Sequence, residues 1–339
     1  MLRVSSLTNL SDRQLDRLIR RVALLAVVVL VGFVAFYVYD RYRPPQAPIV
    51  DREVASLEAA VRADPSDIVS RGRLADLYTV KGLYTEAIAQ YDQILETGQA
   101  DVQAHYGRGE ANRLSGQLDA ATADYQAVVD ALASGEQANV DPTLEAAYFG
   151  LGTVSLAQGR PQDAVGQLEK AKAIKPADAD VLNLLGSAYL ATGEPTKAIE
   201  ALKQAIAFVP FGWADPYATL AAAYTKTGDA AHAEWAGAMA DFSNGLTADA
   251  TTRLQALVDG PAALDAAVGL AVIAETQGDL ATATRWYQQA LTIDPNDDAA
   301  KLGLTRVSAN DSDPHGAASP MSSAIPSLPQ PGDLQEGQP

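Results

Sequence analysis

Two hydrophobic patterns divide this chain. From Val22 to Tyr39 the run VALLAVVVLVGFVAFYVY carries no charge over 18 residues. As a helix rising ~1.5 Å per residue it reaches about 27 Å, close to the hydrocarbon thickness of a bilayer. Arg20 and Arg21 fence one end; Asp40, Arg41 and Arg43 fence the other. Phe36, Tyr37, Tyr39 and Tyr42 crowd the second end, where amphipathic rings favour a membrane interface. A cleaved secretory signal has a shorter apolar run followed by a small-x-small site. Here DRYRPP follows, and Arg20-Arg21 lacks the flanks of a twin-arginine signal, so the pattern predicts a retained transmembrane helix over 22–39.

Beyond Asp51 the apolar positions recur on a longer period. With turn glycines as origins, Gly82, Gly116, Gly159, Gly193, Gly228 and Gly278 lie 34, 43, 34, 35 and 50 residues apart. An alanine stands five residues after each (Ala87, Ala121, Ala164, Ala198, Ala233, Ala283) and Ala or Gly seven before (Ala75, Gly109, Gly152, Gly186, Ala221, Ala271). A bulky residue stands nine after five of them (Tyr91, Tyr125, Leu168, Leu202, Tyr287), with Gly237 the exception, and Pro176, Pro210 and Pro295 stand seventeen after three.

Two helices joined by a glycine turn make an antiparallel hairpin. Small residues let the helices approach, and the bulky ones fill the layer between hairpins. One hairpin cannot bury its own face, so neighbours must stack and the product is a solenoid. Proline marks where each second helix has to stop.

The segments LGSAYLATGEPTKAIEALKQAIAFVP (185–210), FGLGTVSLAQGRPQDAVGQLEKAKAIKP (149–176) and AAVGLAVIAETQGDLATATRWYQQALTIDP (266–295) resemble tetratricopeptide repeats (TPR). The resemblance implies an all-α fold: a TPR solenoid of about six helix-turn-helix repeats, preceded by one N-terminal transmembrane helix. DREVASLEAAVRADP (51–65) and DDAAKLGLTRVSA (297–309) are similar to the family's capping helices. Departures fall at 131–142, a longer connection, and at 241–263, where about half a repeat is inserted as a helix over 248–258.

In this family the inner groove is lined by the first helix of each hairpin, three, six, ten and thirteen residues before the turn glycine. Carried onto this sequence, the protein-binding groove comprises Asp76, Tyr106, Glu110, Arg113, Phe149, Thr153, Asp180, Asn183, Ser187, Asp215, Asp265 and Glu275, with Val69, Thr79, Gln103, Leu156, Leu190 and Val268 beside them. Such a surface suits a peptide offering hydrophobic anchors and some Lys or Arg. Each residue also has a plainer reading. Tyr106 and Phe149 fit core positions, Arg113 fits a partner for Glu110, and Asp180, Asp215 and Asp265 stand near helix starts, where carboxylates complement the dipole.

Charge sharpens the division. Residues 1–43 carry +4 and the remainder −21, within a net −17. Arg3, Arg13, Arg17, Arg20 and Arg21 precede the apolar run, against Arg41, Arg43 and Arg52 after it. That bias puts a short basic segment, 1–21, in the cytoplasm and the acidic body outside it. An acidic body is a poor partner for nucleic acid. Residues 40–50 include the spacer RPPQAP, the repeats fill 51–309, and 310–339, rich in Pro, Ser, Gly and Gln, reads as disordered.

No cysteine occurs, and the three histidines, His105, His232 and His315, are scattered. Thiolate and histidine-rich metal centres are therefore not expected. Gly107-x-Gly109 and Gly150-x-Gly152 lack the third glycine of a dinucleotide loop and coincide with repeat positions, and no GxxxxGK[ST] occurs. The reading is a non-enzymatic, single-pass membrane protein without cofactor or small-molecule substrate. Its extracytoplasmic repeats bind protein partners as a scaffold, assembly factor or chaperone. The alternative is an accessory subunit whose membrane helix packs into a larger complex, for which Gly32 and Ala35 offer a small-residue contact.

Overall fold

The computed structural model describes the backbone over residues 12–42, 48–98, 101–210 and 212–312, and side chains over 20–37, 48–98, 101–210 and 212–309. Most of the RPPQAP spacer, residues 1–11 and the tail beyond 312 lie outside the described residues. The chain divides into two compact units, residues 1–63 and 64–339.

In the first unit, α1 (Asp12–Tyr42) contains the window Arg20–Tyr37, long and apolar enough to cross a membrane and with none of its side chains buried. Its described large apolar side chains are all exposed, for example Leu24 and Phe36 at 66% each. The second helix, α2 (Ile49–Ala63), has Asp51 in its first turn and Arg62 in its last, matching the dipole at both ends.

The second unit is built of helical hairpins: α3 (Ile68–Val80) with α4 (Tyr84–Leu95), α5 (Asp101–Leu114) with α6 (Leu118–Leu132), α7 (Pro142–Ala157) with α8 (Pro161–Ile174), and α9 (Ala179–Ala191) with α10 (Pro195–Phe208). Then follow α11 (Ala214–Thr227), α12 (Ala230–Ser243), α13 (Thr247–Gln255), α14 (Ala263–Thr276), α15 (Leu280–Ile293) and α16 (Asp298–Ser312). All six predicted turn glycines adopt positive φ, from 70° to 81°. In every one of these turns the N–H of the next residue donates to the carbonyl five positions back, as in Gln117 N to Asn112 O and Glu194 N to Tyr189 O, both 2.8 Å. This closure uses carbonyls a helix end leaves unpaired, and it needs a left-handed residue at the glycine.

The predicted small and bulky positions form the core. The alanines five after the glycines at 87, 121, 164, 198 and 283 are wholly buried, as are Tyr125, Leu168, Leu202 and Tyr287. Helices α8, α10 and α15 each end two residues before Pro176, Pro210 and Pro295. The glycine pairs are packing positions. A Cβ at Gly152 would stand 2.5 Å from Leu168 Cγ, and one at Gly150 2.6 Å from Tyr125 Cζ.

The insertion departs from the expected pattern in an informative way. A seventh glycine, Gly245, has φ 89° and the same closing bond, Leu246 N to Asp241 O at 2.9 Å. Ala238 stands seven before it, Ala250 five after and Leu254 nine after, all buried. Gly245 therefore obeys the whole template, and the step to Gly278 is 33 residues. The consequence is a half-repeat slip: α12 is the second helix of the α11 hairpin and also the first helix of a hairpin with α13. The helix expected over 248–258 is α13, ending at Gln255.

Candidate functional site

The first helices pack in a row, each touching the next: α3 on α5, α5 on α7, α7 on α9, and α9 on α11. After the slip the row restarts as α12, α14 and α16, on the side that earlier belonged to second helices. The contacts agree with this register. His232 and Asp265, each thirteen before its turn glycine, meet at 3.4 Å, and Asp265 also faces Lys203 of the second helix α10 at 3.8 Å. The structure thus brings Asp265 to His232, Asp229 and Lys203, whereas Asp180 and Asp215 sit on the other row. Burial, above all, raises the Asp265 pKa, opposed by Lys203 and His232.

Along the first row the six-before position divides sharply. Asp76 accepts a hydrogen bond from the Tyr91 hydroxyl, and Glu110 from that of Tyr125. Glu110 also holds Arg113 Nη2 at 2.6 Å, so the expected pairing of those two is present. In both hairpins the phenol is the bulky residue nine after the glycine, and its ring leans over the next first helix, where Gly107 and Gly150 leave room. In the next two hairpins the bulky residue is Leu168 or Leu202, which has no hydroxyl, and the six-before residues are Thr153 and Ser187. In the α11 hairpin they are Ala222 and Gly237. Carboxylates occur at this position only where a phenol meets them.

On the second row Tyr287 lacks a carboxylate at 272 and takes Glu275 instead, at 2.7 Å, with Arg306 Nε from α16 at 3.0 Å from the same carboxylate. Asp76, Glu110 and Glu275 are therefore committed internally. Burial raises the Tyr91 and Tyr125 pKa values, their carboxylate neighbours adding to it, so the phenols stay protonated donors.

Between the clasped hairpins and the slip lie α7, α9 and α11. Their charged residues are Glu145, Asp180 and Asp215, all in first turns, and Lys226 in the last turn of α11. The rest of each helix is neutral. Phe149, Leu156 and Leu190 are half-buried; Ala218, Ala222, Thr225, Asp180 and Asp215 are exposed. Thr153 Oγ1 donates to Phe149 O within its own helix at 2.9 Å. Asn183 is half-buried, and its Oδ1 accepts no hydrogen bond. Tyr106 packs 6.1 Å from Tyr125, and Phe149 packs against two core clusters, so both combine core contact with partial exposure.

The acids expected at helix starts are there, though none of the three is the cap residue. Asp178 caps α9, accepting from Asp180 N at 3.0 Å and Val181 N at 3.1 Å. Asp180 stands two residues further, within the first turn; Asp215 and Asp265 also stand in first turns, in helices whose cap positions are Trp213 and Ala262. All three complement the dipole without serving as the cap. Glu145, Asp178 and Asp180 face one another with Lys175 as counter-charge. Burial first, then Asp178, lifts the Glu145 pKa to about 7.

Among solved structures the chain is similar to a MamA protein (24% identity over 53% of this chain and 93% of that one, TM-score 0.46). It is also similar to the C-terminal part of a TPR repeat-containing protein from Cytophaga hutchinsonii (19% identity, 75% and 94% covered, TM-score 0.48). A third is YrrB, described as a TPR protein with an unusual peptide-binding site (18% identity, 60% and 99% covered, TM-score 0.47). No curated protein matches the chain. The tetratricopeptide repeat model matches residues 73–136, 149–212 and 236–298, its third match taking in Gly245 as well as Gly278. With those matches over more than half its length, and glycine-turn hairpins throughout them, the chain belongs to the tetratricopeptide repeat family.

Proposed function

We propose that this protein is a membrane-anchored scaffold or assembly factor that holds other polypeptides on the first-helix groove of its TPR body. The family's fold is one of protein interaction rather than catalysis, which supports the general class. The observation that carries the reading is the row α3 to α11, whose last three helices present, between their charged end turns, a neutral, partly apolar and partly exposed face instead of a closed core. In this reading α1 spans the bilayer through residues 22–39, the arginine-rich start stays in the cytoplasm, and residues 51–309 are extracytoplasmic. The exposed apolar side chains of α1 support the anchor, since water is a poor solvent for such a helix.

Cross-linking of the full chain in its native membrane, with identification of linked peptides, tests the function. Links from partner proteins to α5, α7, α9 or α11 are expected. Links confined to α1, with the body untouched, favour the accessory-subunit reading instead. Protease added to intact cells should cut the body if it is extracytoplasmic, and full protection would reverse the topology.

A further inference from the structure

We infer that within this groove the binding surface is the face of α7, α9 and α11, and that its occupant is a polypeptide segment with large apolar side chains next to a Lys or Arg. The inference rests on the groove reading above and narrows it. Clasping by tyrosine engages Asp76 and Glu110 within the protein, and the exposed apolar side chains of α3 and α5, Val69, Val80 and Leu114, stand at helix ends rather than at the six-before positions. The half-repeat slip sends the chain to the other row after α11, and that helix consequently keeps Ala218, Ala222 and Thr225 exposed. In between, the six-before positions read Thr153, Ser187 and Ala222: a floor of small side chains, over which another backbone can come close.

Charge complementarity selects the occupant. The three helices place every acid at their N-terminal turns, with Asp180 and Asp215 exposed at matching register in adjacent helices. Near them Glu145 and Asp178 add negative charge against Lys175 alone. A cation on the partner offsets repulsion already present in the free protein, whereas an acidic residue there adds to it. Phe149, Leu156 and Leu190 supply apolar contact beyond that acidic edge. Helices packed about 9 Å apart give a face roughly 20 Å wide across three of them, which an extended segment of about six residues spans.

The test uses the full chain in nanodiscs of zwitterionic lipid, with empty nanodiscs as the blank, and fluorescence anisotropy of three dye-labelled synthetic peptides. One carries Leu and Phe anchors beside two Lys; in the second the Lys are Glu; in the third the anchors are Ser. The first should bind at least tenfold more tightly than either other. Asp180→Lys with Asp215→Lys should reverse the preference between the Lys and Glu peptides, and Ala222→Phe with Ser187→Phe should weaken the first at least tenfold. Asp76→Asn should change binding less than twofold. Asp180, Asp215 and Ala222 are exposed, so substitutions there keep the fold, and circular dichroism verifies this for them and for the variants at the half-buried Ser187 and Asp76. Equal binding of the Lys and Ser peptides, no binding of any, or dependence on Asp76 in place of Asp180 and Asp215 each overturns the inference. None of these touches the groove reading, which stands or falls with the native cross-links.

Discussion

The hairpins α5/α6 and α9/α10 share one backbone plan and use it differently. In α5/α6 the residue nine after the turn glycine is Tyr125, which reaches back to Glu110 and forward over Gly150. In α9/α10 the same position is Leu202, which lies over Gly186 of its own hairpin and leaves Ser187 without an acid to serve. Two exchanges, Tyr for Leu and Glu for Ser, thus separate a hairpin closed by internal polar bonds from one whose first helix is neutral beyond Asp180 in its first turn. The lesson is that a repeat's recognition surface depends on the second helix as well as on the first-helix residues that line it.

Several substitutions press on this difference. The largest effect is expected for Tyr125→Ala, which empties a fully buried site between two hairpins and removes the hydroxyl that donates to Glu110. A loss of about 3–5 kcal/mol in chemical denaturation is expected, read from the midpoint of tryptophan fluorescence. Next is Glu145→Gln. With a folded pKa near 7 against an ordinary 4.5, the folded state retains a proton that the unfolded chain loses. Stability therefore falls as pH rises from about 4.5 to 7, and the neutral variant should gain about 1–3 kcal/mol at pH 8 and almost nothing at pH 4. An equal gain at both pH values contradicts this account. Tyr125→Phe, which removes the clasp but keeps the ring, should cost about 1–2 kcal/mol, because Glu110 still holds Arg113. The smallest effect belongs to Asp215→Asn, within about 0.5 kcal/mol, since that exposed side chain does not cap its helix.

Much of the scaffold was legible because it depends on residue size and backbone freedom. Gly82 and its five counterparts each mark a real left-handed turn, and the bulky residues and all the five-after alanines except the half-buried Ala233 are buried as their spacing implies. The clasps were hidden because Tyr and Leu count alike as bulky; only the phenol's length lets it reach a carboxylate fifteen residues earlier. Pairing Tyr91 with Asp76 and Tyr125 with Glu110, against Leu168 with Thr153 and Leu202 with Ser187, is the signal that could have found them.

The slip was hidden by a choice of origin. Gly237 fails the template nine residues after Gly228, while Gly245 satisfies it in full, yet a fixed period of about 34 passes over a turn only 17 residues on. That choice placed Asp265 beside Asp215, whereas His232, Lys203 and the change of row place it elsewhere. Acids near helix starts were similarly ambiguous, because only the hydrogen bonds from Asp180 N and Val181 N single out Asp178 as the cap over its neighbour Asp180.

The absence of cysteine allows one direct measurement of where the occupied surface lies. Single cysteines replacing Ser187, Ala222 and, on the second helix α6, Gln126 can be labelled with maleimide in the full chain, with and without the Lys-bearing apolar peptide. At least fivefold protection at 187 and 222, with none at 126, is the expected result. Protection at 126, or unchanged labelling at all three positions under saturating peptide, would contradict the claim that α7, α9 and α11 form the binding face.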